Sequence, residues 1–138
     1  MRRTAARLKG AMMAGKDFEE LDLYRVAREL RKLVWQLARQ LPPDERFVLA
    51  SQMRRAALSA TNNIAEGHGT YTFRHNVAYL HRTRGSLYEL RDDLNACEDA
   101  GYVQPPQAEQ LRAMMIRTIQ LTDGYIRYLR SRQAPPPT

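Results

Sequence analysis

The side chains of this sequence that could carry chemistry lie in two stretches, SQMRRAALSATNNIAEG at residues 51–67 and RGSLYEL at residues 84–90. They supply two carboxylates, Glu66 and Glu89, with arginines nearby, a combination that could support general acid–base catalysis. The sequence contains no nucleophile with an adjacent base, no glycine-rich phosphate loop and no Glu-x-x-His pair. We therefore expect no enzyme activity and interpret both stretches as helix-packing surfaces that carry a polar layer.

The two stretches predict contacts between neighbouring helices. If the chain turns near residue 70, residues that face each other in an antiparallel pair have numbers that sum to about 141. This register places Gln52 near Glu89. It also places Arg55 near Gly85 and Ser86, and because glycine within a helix costs about 1 kcal/mol relative to alanine, Gly85 predicts a close approach by another group. The hypothesis is a buried or half-buried network that fixes helix register, formed by Gln52, Arg55, Asn63, Glu66, Ser86 and Glu89.

The histidines and the cysteine give little support for a metal site. His68, His75 and His81 are separated by seven and six residues, so they do not form the i, i+4 pair that a helical metal site uses. Cys97 lies on an apolar helix seam, where a buried structural thiol is the better interpretation. We expect neither a metal nor a cofactor.

Apolar residues at spacings of three and four predict four helices. The first predicted helix runs from Asp17 to Leu41, and the second begins at Asp44 and is ended by Gly67 and Gly69. The third ends near Gly101, and the fourth runs from Pro105 to about residue 132. Pro42 and Pro43 end the first helix because proline forces the preceding residue out of helical geometry. With short connections, residues 17–132 are predicted to form an all-α domain, an antiparallel up-and-down four-helix bundle. Residues 1–16 are predicted to be a basic, flexible arm, and residues 133–138 a disordered, proline-rich tail.

Composition is consistent with a globular domain. The chain has 138 residues, of which 43% are hydrophobic and 27% are charged. No apolar run approaches the roughly 18 residues of a membrane span, and no apolar segment typical of a signal peptide follows the first residues. One cysteine cannot form an intrachain disulfide. We expect a cytoplasmic protein that does not enter a membrane.

The net charge of +7 is concentrated at the two ends. Residues 1–16 carry five basic and no acidic side chains, the last twelve residues carry three basic ones and no acidic ones, and the remaining 14 basic and 15 acidic residues nearly balance. Such ends would attract phosphate groups, although an excess of arginine also follows from GC-rich coding. A start at Met13 in place of Met1 would remove four of these cations, and Met12 is another possible start. The candidate nucleic-acid contacts are Arg2, Arg3, Arg7, Lys9, Arg127, Arg130 and Arg132 at the ends, with Arg54 and Arg74 in the body.

Aromatic residues are more numerous than one four-helix core can bury. Trp35 lies beside an apolar stripe of the first helix and is expected in the core or at a subunit contact. Some of the tyrosines should therefore lie at a protein interface or on nucleic acid, and self-association is the favoured interpretation. These tyrosines are Tyr71, Tyr79, Tyr88, Tyr125 and Tyr128.

Four segments carry a family resemblance. They are DFEELDLYRVAREL at 17–30, PPDERFVLASQMRRAALSATNNIAEG at 42–67, RGSLYEL at 84–90, and Gly101-Tyr102. With these segments in this order, the chain resembles the four-helix bundle proteins encoded within bacterial ribosomal-RNA intervening sequences. The resemblance implies an up-and-down bundle that assembles as a ring-like homo-oligomer, typically a pentamer, without enzyme activity.

A more distant similarity suggests possible partners. The accessory variability protein of diversity-generating retroelements has a similar bundle and binds RNA and its reverse transcriptase. By analogy, this chain is expected to bind nucleic acid, with RNA favoured; the alternative is a scaffold for a protein such as a reverse transcriptase. The chain departs from the family pattern in lacking Val-Trp-Gln near the start of the first helix, in having Thr70 where a basic residue is usual, and in its additional residues 1–16.

Overall fold

A computed structural model describes residues 17–133 and Lys9. The helices are α1 (Asp22–Gln40), α2 (Leu49–His68), α3 (Phe73–Asp99) and α4 (Pro105–Ser131), with 3₁₀ turns at Phe18–Glu20 and Pro43–Glu45. Residues 17–133 contain no strand, so the prediction of an all-α domain with four helices is confirmed. None of the helices in this part of the chain has the length and apolar character needed to cross a membrane.

The helix ends follow from local sequence, as predicted. The last turn of α1 stops at Leu41, directly before the proline pair. At the end of α3, Gly101 takes a φ of 75°, a value that favours glycine. The amide of Tyr102 donates to the carbonyl of Cys97 over 2.8 Å and that of Gly101 to the carbonyl of Glu98 over 3.0 Å, which satisfies the last carbonyls of the helix.

The start of α2 differs from the prediction. Asp44 and Glu45 belong to a 3₁₀ turn, and the α-helix begins only at Leu49. Val48 interrupts the helical path because its φ and ψ are −115° and −94°. This turn leaves the side chains of Phe47 and Val48 exposed by 83% and 61%.

Each helix packs against two others, in the pairs α1–α2, α2–α3, α3–α4 and α1–α4, as in a bundle. The interior contains two apolar clusters, one around Leu37, Met53 and Leu90 and the other around Ile64, Leu80 and Leu129. Most buried polar residues are threonines whose hydroxyls bond to backbone carbonyls. The polar layer of the core is thus satisfied mainly within and between helix backbones.

The close approach that we expected at Gly85 occurs at Gly67 instead. A Cβ atom at Gly67 would lie 2.6 Å from Asn76 Oδ1 and 2.9 Å from Tyr79 Cβ, so α2 and α3 nearly touch there. A Cβ atom at Gly85 would meet nothing within 4 Å. The prediction for Gly85 was wrong because Thr83 and Leu87 turn inward and leave residue 85 on the outer face of α3.

Candidate nucleic-acid interface

Tyr88 of α3 lies between two arginines on the outside of the bundle. The Arg84 guanidinium lies 4.9 Å from the centre of the Tyr88 ring, and the Arg91 guanidinium lies 5.3 Å from it. Arg84 Nε also donates to Asp123 Oδ1 of α4 over 2.9 Å, which fixes the side chain at the α3–α4 boundary. The tyrosine ring is 43% exposed, so one flat ring with two cations is presented to solvent.

The same boundary continues to the end of α4. Arg130 Nη2 lies 3.2 Å from His81 Nε2 of α3. On the side of α4 that lines a pocket with Leu21 and Asp22, Tyr125 and Tyr128 stack with ring centres 6.0 Å apart, and the Arg132 guanidinium lies 5.4 Å from the Tyr128 ring centre. Burial, followed by the neighbouring Tyr128, raises the pKa of Tyr125 to about 12, so this phenol stays neutral at physiological pH.

These side chains form what we call the arginine–tyrosine surface. Its members are Arg84, Tyr88, Arg91 and Arg130, which follow the α3–α4 boundary. Within the described residues, Arg84 is the only member paired with a carboxylate. Guanidinium groups can bind phosphates, and exposed aromatic rings can stack on bases, so the surface has the two components of single-strand binding.

Lys9 is not placed like a phosphate-binding residue. It is only 3% exposed, and its Nζ donates to Gly67 O over 2.9 Å, to Thr70 O over 2.5 Å and to Thr70 Oγ1 over 2.9 Å. Burial lowers the pKa of Lys9 from 10.5 to about 8. The ammonium group thus acts as a cation at the carbonyl end of α2, where the helix dipole favours positive charge.

The remaining nucleic-acid candidates are distributed over different parts of the molecule. Arg74 is exposed in the first turn of α3, two turns before His81. Arg54 is half-buried on the other side of the bundle, where its carbonyl accepts a hydrogen bond from Trp35 Nε1 over 3.3 Å. Arg2, Arg3 and Arg7 lie outside the described residues. Arg127, Arg130 and Arg132 are close in sequence at the end of α4 but have different neighbours: Arg127 lies beside Gly124, Arg130 reaches His81 of α3, and Arg132 lies over Tyr128. Arg54 lies apart from all three.

The six residues of the predicted polar network divide into two small groups and two exposed side chains. Gln52 Nε2 donates to Glu89 Oε1 over 3.2 Å, which is the pairing that the register predicted. Asn63 Nδ2 donates to the Ser59 carbonyl over 2.8 Å, and Ser86 Oγ donates to Ser59 Oγ over 3.0 Å. Arg55 and Glu66 belong to neither group. Both side chains are exposed and make no hydrogen bond with the described residues.

Asp93 was missed by the sequence reasoning. Its side chain is 5% exposed, and Oδ2 has no hydrogen-bond partner in the described part of the chain. Burial, together with the smaller effects of the charges of Glu89 and Asp92, raises the pKa of Asp93 from 3.8 to about 6. An aspartate one residue before Leu94 of the heptad seam was a sequence signal for a carboxylate at the edge of the core.

The single cysteine lies in the core of the bundle. Cys97 is completely buried beside Met53, and burial raises the pKa of its thiol to about 11, with Asp93 and Glu45 adding to the effect. The thiolate is therefore scarce at neutral pH. Among the described residues, no group of histidine, cysteine, aspartate or glutamate is arranged to hold a metal ion.

Residues 19–124 match a family described as 23S rRNA-intervening sequence protein. The match includes α1, α2, α3 and most of α4, together with Tyr88 and its two arginines. Neither the basic segment 1–16 nor the arginines after residue 124 belong to it. No curated protein matches the chain significantly. Because the matched region is well over half of the sequence and agrees with the observed helices, this chain belongs to the 23S rRNA-intervening sequence protein family.

Proposed function

We propose that this protein is a non-enzymatic, homo-oligomeric helical bundle of the cytoplasm that binds nucleic acid, with RNA as the favoured ligand. The observation that carries the proposal is Tyr88 held between Arg84 and Arg91 on an exposed helix face. Arg130, which forms no ion pair within the described residues, extends the same positive surface along α4. Binding occurs mainly through phosphates, so it should be independent of base sequence and strongly dependent on salt.

We further infer that the helices alternate up and down and that the copies form a ring, with a pentamer as the expected size. The alternation is supported by pairs of contacts between neighbouring helices. In each pair, the contact with the higher residue number on one helix has the lower residue number on the other, as expected for antiparallel helices. Gln52 contacts Glu89 and Ser59 contacts Ser86 across α2 and α3. Similar contacts join Arg84 to Asp123 and His81 to Arg130 across α3 and α4.

A protein-binding scaffold is the second candidate, and the exposed apolar turn before α2 favours it. Phe47 and Val48 are exposed by 83% and 61%, and Arg46 stands 5.3 Å from the Phe47 ring centre. Exposed apolar side chains next to charge are common at protein interfaces. In this alternative the bundle docks a partner such as a reverse transcriptase and makes no direct contact with nucleic acid.

The test measures RNA affinity as a function of salt for the full chain. Replacing Arg127, Arg130 and Arg132 with glutamine should weaken binding to unrelated RNAs equally and lower the slope of log K against log salt by about 2, since each lost phosphate contact removes about 0.7–0.9. The matched control replaces Arg28 and Arg117, exposed on other faces, with glutamine. If affinity and slope are the same in both variants, the assignment of these residues is wrong; if wild-type protein binds no RNA at low salt, the scaffold replaces the proposal.

A further inference from the structure

Gly85 occupies an exposed helical position where nothing in the described part of the chain requires a glycine. Its position in α3 is 12 residues after Phe73 and 14 before Asp99, so it serves neither helix end. A side chain there would meet no atom within 4 Å. Glycine weakens a helix by about 1 kcal/mol relative to alanine, and the approach of another molecule to this flat surface would account for that cost.

Acidic side chains follow Gly85 on the next two turns of α3. Glu89 and Asp92 are exposed, and Asp93 is buried with Oδ2 unpartnered. Gln52 donates a hydrogen bond to Glu89, and no ion pair neutralises any of the three carboxylates within the described residues. We call this surface, Gly85 with the exposed Glu89 and Asp92, the Gly85 face; Asp93 lies buried next to it. Within the described residues, the face presents two carboxylates that form no ion pair.

A groove of opposite charge lies between α1 and α2. It has a volume of about 380 Å³ and is lined by Trp35, Arg39, Arg54, Arg55 and Leu58, none of which is acidic. Arg55 is exposed and makes no hydrogen bond or ion pair with the described residues. Leu58 is 38% exposed, so the groove combines apolar area with guanidinium groups. We call it the Trp35 groove.

The two surfaces lie at the same height along the bundle. Trp35 is hydrogen-bonded to the carbonyl of Arg54, and Gln52, two residues earlier on α2, is bonded to Glu89 of α3. Since one helical turn rises about 5.4 Å, the Trp35 groove and the Gly85 face are offset along the axis by about one turn or less. Two copies placed side by side therefore bring the carboxylates of one next to the arginines of the other.

We propose that the Gly85 face of one copy docks into the Trp35 groove of a second copy. Because Gly85 has no side chain, the edge of the Trp35 groove can lie close to α3 at this point. The arginines of the groove then neutralise the carboxylates that follow Gly85 in the sequence. The contact joins two different surfaces, so repeating it generates a closed ring when the rotation between neighbouring copies divides a full turn, as the proposed pentamer requires, and an open filament otherwise. The inference rests on the proposed self-assembly and names the surfaces that produce it.

The test measures association by light scattering and sedimentation of the full chain over a range of concentrations. Gly85→Gln introduces a neutral, helix-compatible side chain and should raise the dissociation constant at least 100-fold, whereas Ala113→Gln, at an exposed small residue of α4, should leave it unchanged. Asp92→Arg and Arg55→Glu should each raise the constant at least tenfold, and the double variant should recover most of the loss. Circular dichroism of each variant separates a lost interface from a lost fold.

The outcomes distinguish this inference from the proposed function. If wild-type protein assembles and Gly85→Gln, Asp92→Arg and Arg55→Glu assemble equally well, the docking surfaces are wrong while the assembly stands. If the single charge reversals weaken association but the double variant does not recover it, the pairing of these two residues is refuted. If wild-type protein is a monomer at every concentration, both this inference and the proposed assembly are overturned, whatever the RNA measurements show.

Discussion

Gly67→Ala should destabilise the protein although alanine is the better helix former. In an open helical position the exchange would gain about 1 kcal/mol. Here the new Cβ atom would lie 2.6 Å from Asn76 Oδ1, 2.9 Å from Tyr79 Cβ and 3.2 Å from the Asn76 carbonyl oxygen. The amide of Asn76 can rotate, but the other two atoms are fixed to the backbone of α3, so the helices must separate. Overpacking of this kind costs about 1–3 kcal/mol, and after subtraction of the propensity gain the predicted net loss is up to about 2 kcal/mol.

Gly69→Ala, two residues later, is the matched control. Its Cβ atom would lie 3.6 Å from Glu66 O and 3.7 Å from Ala65 O, which are ordinary contacts, and its φ of −75° suits any residue. Stability should be unchanged or increased by up to about 1 kcal/mol. Urea unfolding at fixed protein concentration measures both variants, and each kcal/mol shifts the thermal midpoint by about 3–5 °C for this chain length. If Gly67→Ala proves as stable as Gly69→Ala, α2 and α3 do not meet tightly at this point.

Two further predictions concern buried charges. Asp93→Asn should stabilise the dissociated protomer at pH 7 by up to about 3 kcal/mol, because a pKa raised from 3.8 to about 6 penalises the charged folded state above pH 6. The gain should shrink between pH 6 and 4 and vanish below, so a gain that is constant with pH would contradict the assignment. Lys9→Gln should lower the unfolding midpoint, since Gly67 and Thr70 lose a charged donor, but should leave the salt slope of RNA binding unchanged. A flatter slope would make Lys9 a phosphate contact after all.

Much of the fold could be predicted because the signals are local. Proline after Leu41 ends α1, and Gly101 can adopt the positive φ that ends α3. The pairing of Gln52 with Glu89 also followed, since a tight turn fixes the register of the two helices that it joins. The spacing of apolar residues, with proline and glycine at the helix ends, thus predicted both the helices and one contact between helices.

The remaining features depend on rotation of each helix about its own axis, which residue numbers specify poorly. An error of one residue turns a side chain by about 100°, enough to move it from the packed edge to solvent. Arg55 and Glu66 were expected at that edge and are exposed, while Asp93 was overlooked and is buried. Gly85 was assigned the close packing that belongs to Gly67 for the same reason. The burial of Lys9 depends on a contact across 58 residues, which no local pattern encodes.

Two adjacent residues of α3, Tyr88 and Glu89, belong to surfaces of opposite charge. Tyr88 points toward α4 with its two arginines, whereas Glu89, about 100° away around the helix, points toward α2. Docking through the Gly85 face approaches Tyr88, which lies three residues after Gly85 and four before Asp92, but it leaves the arginines at the α3–α4 boundary, Arg84 and Arg130, open on every copy. Several copies on one RNA would then gain avidity of up to about 10²–10⁴-fold. Gly85→Gln removes no positive charge, yet on this reasoning it should weaken RNA binding more than neutralising any single arginine. RNA affinity that survives the loss of assembly would show that each copy binds alone and that the two sides of α3 act independently.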